Sequence, residues 1–314
     1  MRTWTQLIAA VSAVLAGTVS LPAAASQQPV ATFKASIDLV RVSAVVRDRK
    51  GRFVQDLSAR DFEVLDGGQR RPITDFRNDT AGISLALLFD VSGSMENKLG
   101  CAREAAEHVL SWLDPQRDEA GIFTFDTRLD EVVPFTAGLK TLPESLASIQ
   151  PFGATSLHDA IARTAERAGQ REGRRRAVVV LTDGSDNWSR MSPPEVSAVA
   201  SAIDVPVYIF GVVSSIDNPS EDIATDAAAH SALAGPLADL ASWTGGHVFV
   251  SSTPGQRSLA ARRIVDELRH QYLIAFESSG SPGWHPLVVR ARDKDLTVRA
   301  RSGYIAGQSR PNSF

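Results

Sequence analysis

The stretch LALLFDVSGSMENK, Leu85 to Lys98, joins five apolar residues to an aspartate and then to two serines separated by a glycine. A continuous apolar run is typical of a strand that is buried on both faces, as in parallel sheets covered by helices. The polar residues follow at the carboxyl end of this strand, where α/β sheets bind their ligands. The stretch therefore indicates both a fold and the position of a site.

The middle of the chain repeats this pattern. Four more apolar runs follow: AGIFTF (120–125), AVVVLT (177–182), VPVYIFGV (205–212) and HVFV (247–250). Between them, apolar residues recur at helical spacing, which predicts helices that each pack one face on the sheet. These residues are Ala102, Ala105, Ala106, Val109, Leu110 and Leu113 in one helix, and Leu157, Ile161, Ala165 and Ala168 in another. The pattern predicts a doubly wound, mostly parallel α/β domain over residues 81–270.

Both flanks of this domain have the alternating pattern of β-strands. Residues 26–80 contain ASIDLVRVSAVV and the turn sequences DRKGR and LDGGQR, and residues 271–306 contain YLIAFES and HPLVVRARDKDLTVRARSGYI. Neither flank has enough strands to bury a sheet face alone. We therefore predict that the two flanks pair into one small β-sandwich-like domain, into which the α/β domain is inserted, and that residues 307–314 form a tail.

The first 25 residues have the features of an export signal. Arg2 precedes an apolar segment, Leu7 to Val19, and the small residues before Ser26 offer a cleavage site after Ala25. The apolar segment is shorter than the ~20 residues that span a bilayer as a helix. We expect a periplasmic or secreted protein that is not inserted in a membrane after cleavage, and an uncleaved anchor is the alternative.

Charge and cysteine content narrow the function classes. The chain has 33 basic and 36 acidic residues, a formal net charge of −3 and one cysteine, Cys101. Interspersed charges of both signs give no basic face, so nucleic acid is not an expected partner. One cysteine forms no internal disulfide, so we expect the fold to depend on its core.

Five oxygen-bearing side chains are predicted to meet at the carboxyl edge of the sheet. Their oxygens are hard donors, which favours Mg²⁺ or Mn²⁺ over zinc. Gly93 is expected to let the backbone approach this point closely. The five residues are Asp90, Ser92 and Ser94 after the first strand, Thr155 in the loop PFGATSLHDAI, and Asp183 in LTDGSDN.

This set resembles the metal-ion-dependent adhesion site of von Willebrand factor type A domains. The resemblance implies that the two serines bind the metal directly, that the threonine binds directly or through water, and that the aspartates act mostly through water. It also implies a partner protein that offers a Glu or Asp carboxylate to the metal. The flanks LSARDFEVLDGGQRRPITDF and ELRHQYLIAF resemble the bacterial von Willebrand factor A-related group, which is abundant in acidobacteria. If the behaviour of the family transfers, ligand binding is coupled to movement of the helix at about residues 255–271.

Alternatives to a metal-dependent binding module stay open at this point. A Mg²⁺-dependent hydrolase of the haloacid dehalogenase type would need a general acid where Ser92 stands, and we assign no catalytic residue. A structural module with a vestigial metal site is the third hypothesis. His158 and Asp186 are predicted to lie on the rim of the metal site as ligand-binding residues. The acidic segment 214–236 is interpreted as an insertion, with a partner-contacting loop as the alternative.

Overall fold

The computed structural model describes residues 39–78, 81–202, 204–213 and 233–306. The predicted export signal and most of the segment 214–236 lie outside these residues. In the described part of the chain, no helix is long and apolar enough to cross a membrane. The strands and helices are β1 (Leu39–Arg47), β2 (Phe62–Asp66), β3 (Gln69–Arg71), β4 (Ile73–Arg77), β5 (Ile83–Asp90), α1 (Leu99–Trp112), β6 (Glu119–Phe125), β7 (Leu129–Ala137), α2 (Glu144–Ala147), α3 (Leu157–Gly169), β8 (Arg175–Thr182), α4 (Pro193–Ala202), β9 (Val207–Val212), α5 (Pro236–Trp243), β10 (Val248–Ser251), α6 (Pro254–Arg269), β11 (Gln271–Glu277), β12 (Gly283–Ala291), β13 (Thr297–Arg299) and β14 (Gly303–Ala306).

The central sheet has six strands in the order β10-β9-β8-β5-β6-β7. All neighbouring strands are parallel except β6 and β7, which pair antiparallel. Every residue of β5 is buried, so its side chains serve both faces of the sheet. The doubly wound, mostly parallel α/β fold predicted from the apolar runs is confirmed.

Helices cover both faces of this sheet. Leu85, Leu87 and Phe89 of β5 share one apolar core with α1 and α6, whereas Ala86 and Leu88 share the other with α3, α4 and α5. The predicted apolar faces of α1 and α3 are buried. Burial of alternate residues of one strand against different helices explains why the strand sequence is apolar without interruption.

One strand of the central sheet has no counterpart among the predicted apolar runs. The edge strand β7 is partly exposed along most of its length and contains Pro134. An edge strand tolerates proline and polar residues because one side of its backbone pairs with no neighbour. It therefore lacks the continuous apolar sequence by which the buried strands were predicted.

The flanks form two antiparallel four-stranded sheets, in the orders β13-β1-β11-β4 and β14-β12-β2-β3. Each sheet takes strands from both ends of the chain, and their inner faces share one apolar core that includes Val42, Phe62, Ile274 and Leu287. The β-sandwich-like arrangement built from both flanks is therefore confirmed. The domain boundaries at residues 80/81 and 270/271 stay a prediction; β4 ends at Arg77 and β11 begins at Gln271.

Candidate metal centre

The two central strands β5 and β8 bring the first polar residues of the site together. They are parallel neighbours, and strand order reverses between them because β6 continues on one side and β9 on the other. Crevices for ligands form at such a switch point, outside the carboxyl ends of the strands. Asp90 ends β5, and Asp183 directly follows β8.

Asp90 is fully buried and accepts hydrogen bonds at both carboxylate oxygens. Its Oδ1 accepts from the Ser92 backbone N–H (3.0 Å) and from the Ser92 hydroxyl (2.6 Å). Its Oδ2 accepts from the Thr182 hydroxyl, at 2.6 Å. The carboxylate is thus fixed by the loop that follows its own strand and by the neighbouring strand β8.

A line of hydrogen bonds continues from Asp90 to the second carboxylate. The Ser92 and Ser94 hydroxyl oxygens are 3.2 Å apart, and the Ser94 hydroxyl donates to Asp183 Oδ1 at 3.2 Å. Lys98, at the start of α1, donates from Nζ to Asp183 Oδ2 at 2.7 Å. Four of the five predicted site residues are therefore connected, and Lys98 closes the line at its far end.

Backbone bonds bring the loop that carries Thr155 against this line. The Phe152 N–H donates to the Val91 carbonyl (3.0 Å), and the Gly93 N–H donates to the Gly153 carbonyl (3.1 Å). Gly153 has a φ of +87°, a conformation that favours glycine. A Cβ on Gly93 would lie 3.4 Å from the Gly153 oxygen, an ordinary contact, so the close approach that we expected from Gly93 does not require a glycine there.

The Thr155 loop also bonds the loop after β8. The Thr155 N–H donates to Asn187 Oδ1 at 2.9 Å, and the Thr155 carbonyl accepts from the N–H groups of Asn187 (3.1 Å) and Trp188 (2.9 Å). Thr155 itself is buried. The Thr155 loop thus meets the loops that follow β5 and β8 at the switch point. We call the five predicted site residues the acid–hydroxyl cluster: Asp90, Ser92, Ser94, Thr155 and Asp183.

The two carboxyl groups of the acid–hydroxyl cluster differ in proton affinity. Burial raises the pKa of Asp90 to about 6, since it outweighs the hydrogen bonds from Ser92 and Thr182, and the nearby Asp183 charge adds to the increase. Burial also acts to raise the pKa of Asp183, but the hydrogen bonds from Lys98 and from the Ser185 N–H outweigh it, so that pKa is lowered. The difference arises because Asp183 has the Lys98 ammonium beside it, whereas the hydrogen-bond donors to the buried Asp90 are neutral.

His158 and Asp186, which were predicted to lie on the rim, contact each other through His158 Nδ1 and Asp186 Oδ2. Burial lowers the pKa of His158, against the opposing charges of Asp186 and Asp159. Asp186 also accepts from the Ser189 N–H at 3.2 Å, and the Ser189 hydroxyl caps α3 by accepting from the His158 N–H at 2.9 Å. These contacts hold the start of α3, and a ligand-binding role for the pair stays a prediction.

The donors of the acid–hydroxyl cluster fit a hard divalent cation. Adjacent corners of an octahedron with metal–oxygen distances of about 2.1 Å are about 3 Å apart, close to the 3.2 Å between the Ser92 and Ser94 hydroxyls. In the described part of the chain, no group of three or more His, Cys, Asp or Glu side chains is placed to hold a metal. The cluster instead combines two carboxylates with hydroxyls, a donor set that suits Mg²⁺ or Mn²⁺.

Comparison with known protein families gives a match to the part of the chain that contains the acid–hydroxyl cluster. Residues 85–185 match the family model of the von Willebrand factor type A domain. An aerotolerance-related membrane protein from Bacteroides fragilis, with multiple mutations to serines, is 20% identical, with a TM-score of 0.48 over 60% of this chain and 98% of that chain. The BatB protein from Bacteroides thetaiotaomicron is 19% identical, with a TM-score of 0.47 over 59% of this chain and 98% of that chain.

A third solved structure aligns with a larger part of this chain. It is a von Willebrand factor type A protein from Catenulispora acidiphila, which is 13% identical, with a TM-score of 0.45 over 88% of this chain and 76% of that chain. Sequence comparison with curated proteins gives no match.

Proposed function

Since the chain contains a von Willebrand factor type A domain, a type of protein-interaction module, we propose that it binds a partner protein through a divalent cation held by the acid–hydroxyl cluster. The observation that carries the proposal is the line of hydrogen bonds from Asp90 through Ser92 and Ser94 to Asp183. It gathers carboxylate and hydroxyl oxygens, both hard donors, at the strand ends where α/β sheets bind ligands.

The residues of the cluster would hold Mg²⁺ or Mn²⁺ directly through the serine hydroxyls and directly or through water by Thr155, with the two aspartates acting mostly through water, as the family resemblance implies. The ion would supply a Lewis-acidic centre for a Glu or Asp carboxylate of the partner. Serine and threonine hydroxyls are neutral, so they leave most of the charge of a divalent cation uncompensated. That balance favours binding of an external anion at this position.

The protein's own residues prepare the site without the ion. Thr182 and the Ser92 backbone fix the orientation of the Asp90 carboxylate, and Lys98 fixes that of Asp183. Because both carboxylates are largely buried, a divalent cation would offset the cost of keeping two anions out of water. Metal binding should depend on Asp90 in particular. Its hydrogen-bond donors are all neutral, so the cation would offset most of the cost of burying its charge.

We further propose that the partner lies outside the cytoplasm, in the periplasm or in the external medium. The sequence features of residues 1–25, an arginine followed by an apolar segment and small residues, support export. Envelope proteins with accessible acidic loops are then the class of partner to test.

Metal binding and partner capture can be tested together. We expect isothermal titration calorimetry to detect one Mg²⁺ or Mn²⁺ per wild-type chain and none for Asp90→Asn, which keeps the side-chain shape but removes the charge. Asp239→Ala, which removes an exposed aspartate on α5, is the matched control and should bind the ion as the wild type does. Immobilised wild-type protein should then capture a partner from an envelope extract in Mg²⁺ but not in EDTA.

Two results would contradict the proposal. Capture that survives both EDTA and Asp90→Asn would separate partner binding from the acid–hydroxyl cluster. Phosphatase or protease activity that requires both Mg²⁺ and Asp90 would instead assign the cluster to a hydrolase.

A further inference from the structure

Two aromatic side chains project into solvent beside the acid–hydroxyl cluster. Phe152 is 82% exposed and Trp188 is 66% exposed, the highest values among the exposed large apolar side chains of the described residues. Phe152 lies three residues before Thr155, and Trp188 lies five residues after Asp183. The two most exposed large apolar groups therefore lie on the two loops that complete the cluster.

The backbone at both positions is held in place. The Phe152 N–H donates to the Val91 carbonyl at 3.0 Å, and the Trp188 N–H donates to the Thr155 carbonyl at 2.9 Å. These bonds fix the backbone positions from which the two exposed side chains extend, and they also join the loops that carry the cluster. Each ring is thus presented to solvent by the same contacts that build the site.

Other exposed large apolar side chains in the described regions lie on other elements. Trp112 ends α1 and has the Arg262 guanidinium 5.0 Å from its ring centroid, and Leu259 lies on α6. Leu39 lies on β1, and Trp284 and Val288 lie four residues apart on β12. Exposed apolar residues of this kind are ordinary on soluble proteins. Two aromatic residues beside one polar centre are instead typical of the energetic core of a protein interface.

We propose that Phe152 and Trp188 form an aromatic rim that binds apolar side chains next to the acidic residue of the partner. This inference rests on the proposed function and specifies the partner: an accessible protein loop in which Glu or Asp has apolar neighbours. The metal would fix the position of the carboxylate, and burial of the rings would supply affinity and sequence preference.

A second copy of this chain is a less suitable occupant. A symmetric contact made by the two aromatic side chains of each copy would bury at most about 1,000 Å² in total, which is below the roughly 1,200 Å² total of a specific stable interface.

Two synthetic nonapeptides test the inference on the full chain. One has the sequence SGSLELSGS and the other SGSSESSGS, so that they differ only in the residues next to the single glutamate. In Mg²⁺, the leucine peptide is expected to bind at least about tenfold more tightly, measured by calorimetry. Its binding should also shift tryptophan emission to shorter wavelength, and Trp188→Phe should remove most of that shift while retaining the affinity within a fewfold.

Variants test whether the aromatic rim causes the preference for the leucine peptide. In the double variant Phe152→Ser, Trp188→Ser, the leucine peptide should bind no more tightly than the serine peptide, whereas Mg²⁺ binding and thermal stability should be unchanged. Leu259→Ser removes an exposed apolar side chain from α6 and should retain the full preference.

The outcomes separate this inference from the proposed function. Equal, Mg²⁺-dependent binding of both peptides overturns the aromatic rim and leaves the metal-dependent function intact. A leucine preference that persists in EDTA and in Asp90→Asn supports the rim and contradicts the metal-dependent function. Binding of neither peptide, or a protein dimer in sedimentation that the double variant abolishes, overturns the rim.

Discussion

Asp90 and Asp183 bear the same functional group in different surroundings. Asp183 bonds the Lys98 ammonium, whereas the bonds that Asp90 accepts come from hydroxyls and a backbone N–H. Burial without a cation is costly for a carboxylate. Of the two carboxylates, Asp90 therefore has the less favourable electrostatic surroundings in the metal-free protein. A bound divalent cation would stabilise its charged form more than that of Asp183.

The raised pKa of Asp90 leads to a pH-dependent stability in EDTA. Asp90 holds its proton up to about pH 6 in the folded protein but only to about pH 4 when unfolded. Its contribution to stability is thus complete below about pH 4 and is lost as the pH rises through 6. Asp90→Asn removes this dependence, so its stability relative to wild type should increase by on the order of 3 kcal/mol between pH 4 and pH 7.5. Urea denaturation at a series of pH values measures the difference, and a difference that is constant over this range would contradict the prediction.

The residues of the candidate site that could be predicted from the sequence lie in the D-x-S-x-S motif (Asp90 to Ser94), directly after a predicted strand (Asp183) or in a loop before a predicted helix (Thr155). Thr182 bonds Asp90 but is the last residue of an apolar run, where a hydroxyl has no distinguishing pattern. Asn187 bonds the Thr155 loop from 32 residues away, a contact that only the fold creates. Lys98 lies one helical turn beyond Ser94, and that spacing is the one signal that could have indicated it.

Among the strands and helices, the junction between α5, β9 and β10 depends on a glycine for space. A Cβ on Gly246 would lie 1.9 Å from the Val207 carbonyl oxygen, where α5 has ended and the chain returns to β10 beside β9. Because the obstructing atom belongs to the backbone of a buried strand, it cannot move as a side chain would. This glycine therefore maintains the packing of the sheet edge.

A pair of glycine substitutions tests that role. Gly246→Ala should lower the free energy of unfolding by at least about 2 kcal/mol because the strand must shift. Gly255→Ala adds the same methyl group in the first turn of α6, where no atom lies within 4 Å, and should raise stability by about 0.5–1 kcal/mol. Urea denaturation of the two variants provides the comparison, and equal effects would contradict it.

The elements that the sequence predicted correctly are those with a clear apolar pattern: the buried strands, which are continuous apolar runs, and the faces of α1 and α3, which have apolar residues at helical spacing. The edge strand β7 was missed because its sequence reflects one exposed side and a proline. The pairing of the two flanks was accessible because each has too few strands to be stable alone. The exact register, such as Val42 opposite Ile274, depends on packing between segments more than 200 residues apart, which no local pattern encodes.

Across the whole molecule, an ion-pair network centred on a buried glutamate connects the α/β domain to the β-sandwich. Glu267, near the end of α6, is 3% exposed. It accepts hydrogen bonds from Arg47 of β1 at 2.9 Å and from Arg299 of β13. The next strand, β11, begins at Gln271, so the end of α6 is fixed both by the chain and by these arginines. The family resemblance implies that this helix moves when ligand binds. Such a movement would have to break these contacts or move β1 and β13 together with the helix.

Neighbouring acidic residues on α6 test the importance of the network. Glu267→Ala should lower the free energy of unfolding by about 1.5–3 kcal/mol because it leaves the half-buried Arg47 and Arg299 guanidinium groups without their shared carboxylate. Asp266→Ala removes only an ion pair with Arg262 at 3.5 Å that is partly exposed and should cost at most about 0.5 kcal/mol. Thermal and urea denaturation measure both, and a small loss for Glu267→Ala would show that the two parts of the molecule are held together by other contacts.

The most direct test of a cation at the acid–hydroxyl cluster is anomalous diffraction from crystals of the wild-type protein grown with Mn²⁺. We expect one strong anomalous peak, which marks a Mn²⁺ ion within bonding distance of the hydroxyl oxygens of Ser92 and Ser94. Crystals of Asp90→Asn should show no peak at that position. Wild-type crystals with no peak at the cluster, or with Mn²⁺ bound only elsewhere on the protein, would contradict a metal-dependent binding site at this edge of the sheet.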